Sequence, residues 1–124
     1  MIQRMDKTFM FAGALLGGVG VALGAFGAHG LRGRLSPEML AVFETGVRYH
    51  MYHALALLAT SALLPRIDSR AVLIAGWSFI AGIVLFSGSL YALALSGITT
   101  LGAITPLGGL AFIVGWISLA VAAF

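Results

Sequence analysis

Cysteine is absent from this chain, which excludes disulfides, thiolate metal sites and a cysteine nucleophile. Charge is nearly as scarce, since only 9% of the 124 residues are Asp, Glu, Lys or Arg. The formal net charge of +3 rests on so few groups that no basic surface interleaved with aromatics is available for nucleic acid. Low-complexity segments and long linkers are missing as well. What the chain has instead is apolar residues, at 60%. A soluble domain this small has no core large enough to hide them, whereas a bilayer does. The expected class is therefore an all-α polytopic membrane protein, a single four-transmembrane-helix bundle over residues 1–124.

Punctuation marks the four spans at about residues 8–28, 46–64, 71–95 and 106–123. The first is uncharged and stops at His29-Gly30, where a left-handed glycine is expected to end the helix. Ser36-Pro37-Glu38 opens the second with an N-cap, a proline in the first turn and an acid at the positive end of the helix dipole. From Pro37 to Leu64 that helix would measure roughly 42 Å at 1.5 Å per residue, against a hydrocarbon thickness of about 30 Å. Its first turns should lie among headgroups, or the helix should tilt. Asp68 and Ser69 are the cap candidates of the third helix, Ser96-Gly97 is its stop, and Thr105-Pro106 repeats the Ser-Pro device before the fourth. Residues 97–104 are uncharged and should lie at the interface.

With four spans, the N-terminus, the loop between helices 2 and 3 and the C-terminus share one side. That side holds Arg4, Lys7, Arg66 and Arg70, and the other holds Arg32 and Arg34. The positive-inside rule places both termini in the cytoplasm. A secretory signal peptide is the rival reading of the N-terminus, but the apolar run is longer than the usual 7 to 15 residues and is rich in glycine, so an uncleaved helix is expected.

Gly13, Gly17, Gly20, Gly24 and Gly27 alternate steps of four and three and so line one face of helix 1, the spacing that lets helix backbones approach closely. The seam should receive another helix of the bundle, or else a second copy of the chain in a homo-oligomer. A phosphate-binding loop is excluded, because no strand precedes these glycines.

Helix 2 concentrates the chemistry in Phe43-Glu-Thr-Gly-Val-Arg-Tyr-His-Met-Tyr-His53. Ionisable groups inside a membrane are costly and mark functional sites. At 100° per residue, Glu44, Arg48 and Tyr52 share an arc of about 80°, while Tyr49, His50 and His53 share another of about 100°. Glu44 and Arg48 have the favoured spacing and order for an intrahelical ion pair, which would serve either to neutralise charge or to bind and move protons. With His29 they form the candidate ligand site: His29, Glu44, Arg48, Tyr49, His50, Tyr52 and His53. A metal or haem site on the three histidines is weighed and set aside, since zinc takes four good ligands, or three and a water. Cross-helix hydrogen bonds, to Ser87, Ser89 or Tyr91, are the better use of these imidazoles and hydroxyls. No metal or cofactor is expected. The two aspartates, Asp6 and Asp68, fall at the opposite face, so no Ser-His-Asp triad assembles.

The runs Gly24-Ala-Phe-Gly-Ala-His-Gly-Leu31, Leu35-Ser-Pro-Glu38 and Phe43 to Leu58 resemble the YgdD-like family of small bacterial inner-membrane proteins, related to the eukaryotic transmembrane protein 256 family. Gly82, Ser87-Gly-Ser-Leu-Tyr91 and Thr105-Pro-Leu-Gly-Gly109 extend the resemblance over essentially the whole chain. It implies a four-helix membrane protein and no known reaction. The expected function is a non-enzymatic inner-membrane component that binds a lipid, small molecule or protein partner at a polar site in the outer leaflet, with membrane lipids as its surroundings. The alternative is a small dimeric transporter or proton-coupled exporter, for which Glu44 and the histidines would be the only coupling groups.

Overall fold

The computed structural model describes residues 2–124, with side chains described from residue 5 onward. Arg4, which entered the charge count above, lies outside the described side chains. Four helices carry the chain: α1 (Ile2–His29), α2 (Pro37–Leu63), α3 (Arg70–Ser96) and α4 (Thr105–Ala122). A 3-10 turn over Thr99–Ala103 precedes α4. Among the described residues there is no strand, only an isolated bridge between Arg32 and Leu35.

Local chemistry explains several of the helix ends. Ser36 sits in extended backbone and its hydroxyl accepts from the Met39 amide at 3.2 Å, with Pro37 in the first turn. Ser69 accepts from the Ala71 amide at 3.1 Å. Gly97, at φ +75°, stops α3 in the left-handed conformation that glycine adopts without steric cost. Two expectations fail. Gly30 is not left-handed; the positive φ belongs to Gly33, while a Cβ on Gly30 would lie 2.7 Å from the Phe26 ring, so Gly30 is small because that ring folds over it. Thr105 does not cap α4, because its hydroxyl bonds Ser89 of α3 at 2.6 Å instead.

Helix α3 also holds a turn that the pattern did not announce. Ile83–Ser87 is wound as a π-turn, the one-residue expansion that recurs at functional sites in helices. It leaves Ser87 fully buried, donating to the Gly46 carbonyl of α2 at 2.7 Å.

Aromatic rings seated where side chains are missing hold the helices together. Phe43 of α2 lies over Gly27 of α1, Phe9 of α1 over Gly76 of α3, Tyr91 of α3 over Gly46 of α2, Phe112 of α4 over Gly82 of α3, and Phe79 of α3 over Gly115 of α4. A methyl group at any of these positions would fall within 3 Å of the ring. Such contacts suit a membrane interior, where helices associate through close packing rather than through exclusion of water. Phe9, Phe43 and Phe79 are fully buried as a result.

Among the described residues three stretches are long and apolar enough to cross a membrane: α1 from Met5, α3, and Thr99–Ala122. Helix α2 does not meet that description, because Glu44, Arg48 and the Tyr/His cluster dilute its apolar half.

Candidate functional site

The expected seam on α1 faces α2 at four of its five glycines. A Cβ at Gly13 would lie 2.9 Å from Leu58, at Gly20 2.4 Å from the Met51 sulfur, at Gly24 3.3 Å from Val47, and at Gly27 2.9 Å from Phe43. Gly17 has no heavy atom within 4 Å of its Cβ direction, so it stands apart from the contact.

Because Gly20 lacks a side chain, His50 of α2 reaches through to the α1 backbone. Its Nε2 lies 2.7 Å from the Leu16 carbonyl oxygen and its Nδ1 lies 2.8 Å from the Tyr91 hydroxyl. A carbonyl only accepts, so Nε2 carries the proton and Nδ1 accepts from Tyr91. One imidazole thus joins α1, α2 and α3. His53 is bound in the opposite tautomer. Its Nδ1–H donates to the Tyr49 carbonyl at 2.7 Å, and its Nε2 accepts from the Trp116 indole N–H at 3.0 Å. Phe112 stacks on the same imidazole, with centroids 3.5 Å apart and planes 9° from parallel.

Both ring nitrogens of both buried histidines are therefore occupied by protein groups. No cluster of three or more His, Cys, Asp or Glu suited to a metal ion occurs among the described residues. His29 is exposed at the end of α1, thirteen residues and hence about 20 Å along the axis from Leu16, and takes no part in the cluster.

Glu44 and Arg48 are both exposed on α2, and among the described residues no ion pair joins them. Among the described residues neither has a hydrogen-bond or ring partner. The intrahelical pair expected from their spacing does not form.

Tyr49, Tyr52 and His53 instead share a groove of about 590 Å³ with Phe86 of α3 and Phe112 and Trp116 of α4. Helices α2 and α4 supply most of its lining, and α3 adds Phe86 from the π-turn. The Tyr49 ring lies 5.8 Å from Tyr52, 4.8 Å from Phe86 and 6.5 Å from Phe112, centroid to centroid. Tyr49 and Tyr52 are 38% and 53% exposed, and among the described residues neither hydroxyl has a hydrogen-bond partner. They are the groove's free donors. The other polar side chains of the lining are satisfied, His53 by Tyr49 and Trp116, and Trp116 by His53.

A larger hollow of about 910 Å³ lies between α3 and α4. Its lining is apolar apart from Arg70 at one end and Ser78, with Trp77 between them, so it offers surface rather than converging chemistry.

The contributions of Phe86, Phe112 and Trp116 were missed in the sequence. Gly109, Phe112 and Trp116 share one face of α4 at steps of three and four, which was the available signal.

The family described as "Protein of unknown function (DUF423)" matches residues 23–109, the stretch that carries all three histidines, all three tyrosines and the π-turn. The chain belongs to the DUF423 family. The UPF0382 membrane protein YwdK of Bacillus subtilis (strain 168) is 53% identical over 118 residues, covering 94% of this chain and 96% of the relative. UPF0382 membrane protein SAB0533 of Staphylococcus aureus (strain bovine RF122 / ET3-1) is 50% identical over 118 residues, covering 95% and 96%. UPF0382 membrane protein SH2409 of Staphylococcus haemolyticus (strain JCSC1435) is 49% identical, with 95% and 96% covered. No solved structure matches. The resemblance read from the sequence blocks is thereby borne out, and this DUF423 chain is a membrane protein.

Proposed function

We propose that the chain is a non-enzymatic protein of the bacterial inner membrane, with four spans and both termini cytoplasmic, which holds a small membrane-dissolved ligand in the groove between α2 and α4. Reading α2 as the fourth span is supported by its place between α1 and α3 and by its 27 residues, about 40 Å of helix. Its histidines are fully bonded within the protein, which is what hydrocarbon demands of buried polar groups. With the Pro37 end among headgroups, Arg48 lies within snorkelling distance of the lipid phosphates. Its free guanidinium is then available to an anionic headgroup beside the groove.

The observation that carries the reading is the pair of unpartnered hydroxyls, Tyr49 and Tyr52, on the wall of an aromatic groove. At membrane depth no bulk water satisfies them, so a bound molecule with an acceptor gains two hydrogen bonds on entering. The exporter reading draws no comparable support, since Glu44 lies outside the groove lining. Native mass spectrometry of protein purified in mild detergent tests the proposal. A ligand retained by the wild type should be lost from the variant Tyr49→Phe with Tyr52→Phe. Equal retention by both proteins, or none by either, overturns the assignment of this groove.

A further inference from the structure

We infer that the groove takes a neutral planar ring bearing acceptor oxygens on an apolar tail, the chemistry of a lipid-soluble quinone. This rests on the ligand-holding reading above and adds the class of ligand. Charge is the first discriminator. The groove lining contains no Asp, Glu, Lys or Arg, and its one titratable base, His53, has both nitrogens engaged by Tyr49 and Trp116. A cationic or anionic ligand would lie at membrane depth without a counter-charge, which is strongly disfavoured.

Shape is the second. Tyr49, Tyr52, Phe86, Phe112 and Trp116 give the cavity walls made of ring faces and edges, and flat π-systems pack on such walls in offset or edge-to-face arrangements. The hydrogen-bonding sense is the third. The hydroxyls of Tyr49 and Tyr52 are free to donate, whereas the indole N–H of Trp116 is already committed to His53. A phenol oxygen can also accept, but its O–H is satisfied only where the ring presents an acceptor, as a carbonyl does.

Access is the fourth. Trp116 is 49% exposed on a helix whose outward side carries Ile113 and Ile117, 56% and 57% exposed, so the cavity opens where lipid tails would lie. Along α4 the groove runs from Gly109 to Trp116, about 10 Å, while its volume of 590 Å³ is within the range of small-molecule sites. A ring head fits within that length and its tail leaves through the open side into the bilayer.

The chain has two tryptophans, Trp77 and Trp116, and Trp77 lines the other hollow. The variant Trp77→Phe thus leaves Trp116 as a fluorescent reporter inside the groove. Purified Trp77→Phe protein in detergent should be titrated with a benzoquinone and a naphthoquinone, each carrying two prenyl units, and with the matching prenyl alcohol. Saturable quenching by a quinone is expected, at least tenfold weaker when Tyr49→Phe and Tyr52→Phe are added. The prenyl alcohol should not compete. Thermal unfolding of each variant reports folding, and the single change Tyr49→Phe, expected to weaken binding severalfold, replaces the double one if the latter does not fold. Quenching that rises linearly and equally in all proteins is collisional and overturns the inference. Competition by the alcohol as strong as by the quinone overturns the ring assignment while leaving a tail-binding groove. Absence of quinone binding together with absence of any retained ligand in native mass spectrometry removes both readings.

Discussion

His50 reaches the backbone of α1 only where Gly20 leaves room. Its Nε2 sits 2.7 Å from the Leu16 carbonyl oxygen, and a Cβ at Gly20 would stand 3.3 Å from the imidazole and 2.4 Å from the Met51 sulfur. A small residue on one helix and a polar ring on the next thus form a single device. In it α1 contributes a second lone pair of a carbonyl already inside a helix, and α3 contributes the Tyr91 hydroxyl. Overfilling Gly20 should therefore do two things at once. Gly20→Leu is expected to lower stability in detergent by about 1–3 kcal/mol through overpacking, with further loss from the broken bond. Gly17→Leu, which points into open space, should leave unfolding unchanged. Paired thermal scans check this. If Gly17→Leu instead abolishes a dimer while the monomer stays stable, the open side of α1 is a contact between copies.

His50 and Tyr91 should couple measurably through the bond between them. Cross-helix hydrogen bonds in membrane proteins contribute about 0.6 kcal/mol on average and up to about 1.7. His50→Leu leaves the half-buried Tyr91 hydroxyl without its acceptor, and Tyr91→Phe removes the same bond from the other side, so the double change should destabilise by less than the sum of the two single changes. A double-mutant cycle on unfolding free energy is expected to show a coupling within that range. Zero coupling would mean that Tyr91 finds another partner at no cost.

How much of this was legible depended on whether the signal was local. Ser36-Pro37-Glu38 and Ser69 work within three residues of themselves, and the cap chemistry that reads them needs no partner helix. Gly97 is of the same kind. Gly30 misled because a glycine after a helix serves equally for a left-handed turn or for a close ring, and only the position of Phe26 decides. Thr105 misled because its hydroxyl had a rival partner, Ser89, sixteen residues away in sequence. The groove was half legible. Helix α2 is marked by polar residues, so Tyr49, Tyr52 and His53 stood out; α4 is apolar on all sides, and such a helix gives little periodic signal of which face turns inward. The π-turn shifts the register of α3 within one helix, so Phe86 could not be aimed by counting at 100° per residue.

Topology offers an independent check. Arg4, Lys7, Arg66 and Arg70 against Arg32 and Arg34 give an excess of positive charge on the side of the termini. Reporters fused after Phe124 should read cytoplasmic, and those inserted at Gly33, an exposed loop glycine, should read external. A cytoplasmic signal at Gly33 together with a cytoplasmic one after Phe124 would require α2, α3 or α4 to be something other than a span, whereas reversal of both signals would invert the bundle.

Glu44 and Arg48 give the last prediction, because their separation changes what their removal should do. Breaking a buried ion pair by one partner is strongly destabilising, since a charge is left uncompensated. Here both side chains are exposed and unpaired, so Glu44→Leu, Arg48→Met and the two together should each leave a folded bundle with unfolding close to the wild type. Binding should separate them. Arg48→Met is expected to reduce retention of anionic phospholipid in native mass spectrometry, because the guanidinium forms charge-assisted bonds to phosphate, while Glu44→Leu should not. Tyr49→Phe should leave anionic lipid in place and weaken only the occupant of the groove. His53→Phe should weaken that occupant too, but with a loss of stability, because it removes the acceptor of the Trp116 indole. If Arg48→Met and Tyr49→Phe change the same bound species to the same degree, headgroup and groove are one site. If neither changes any, Arg48 and the tyrosines serve only the fold.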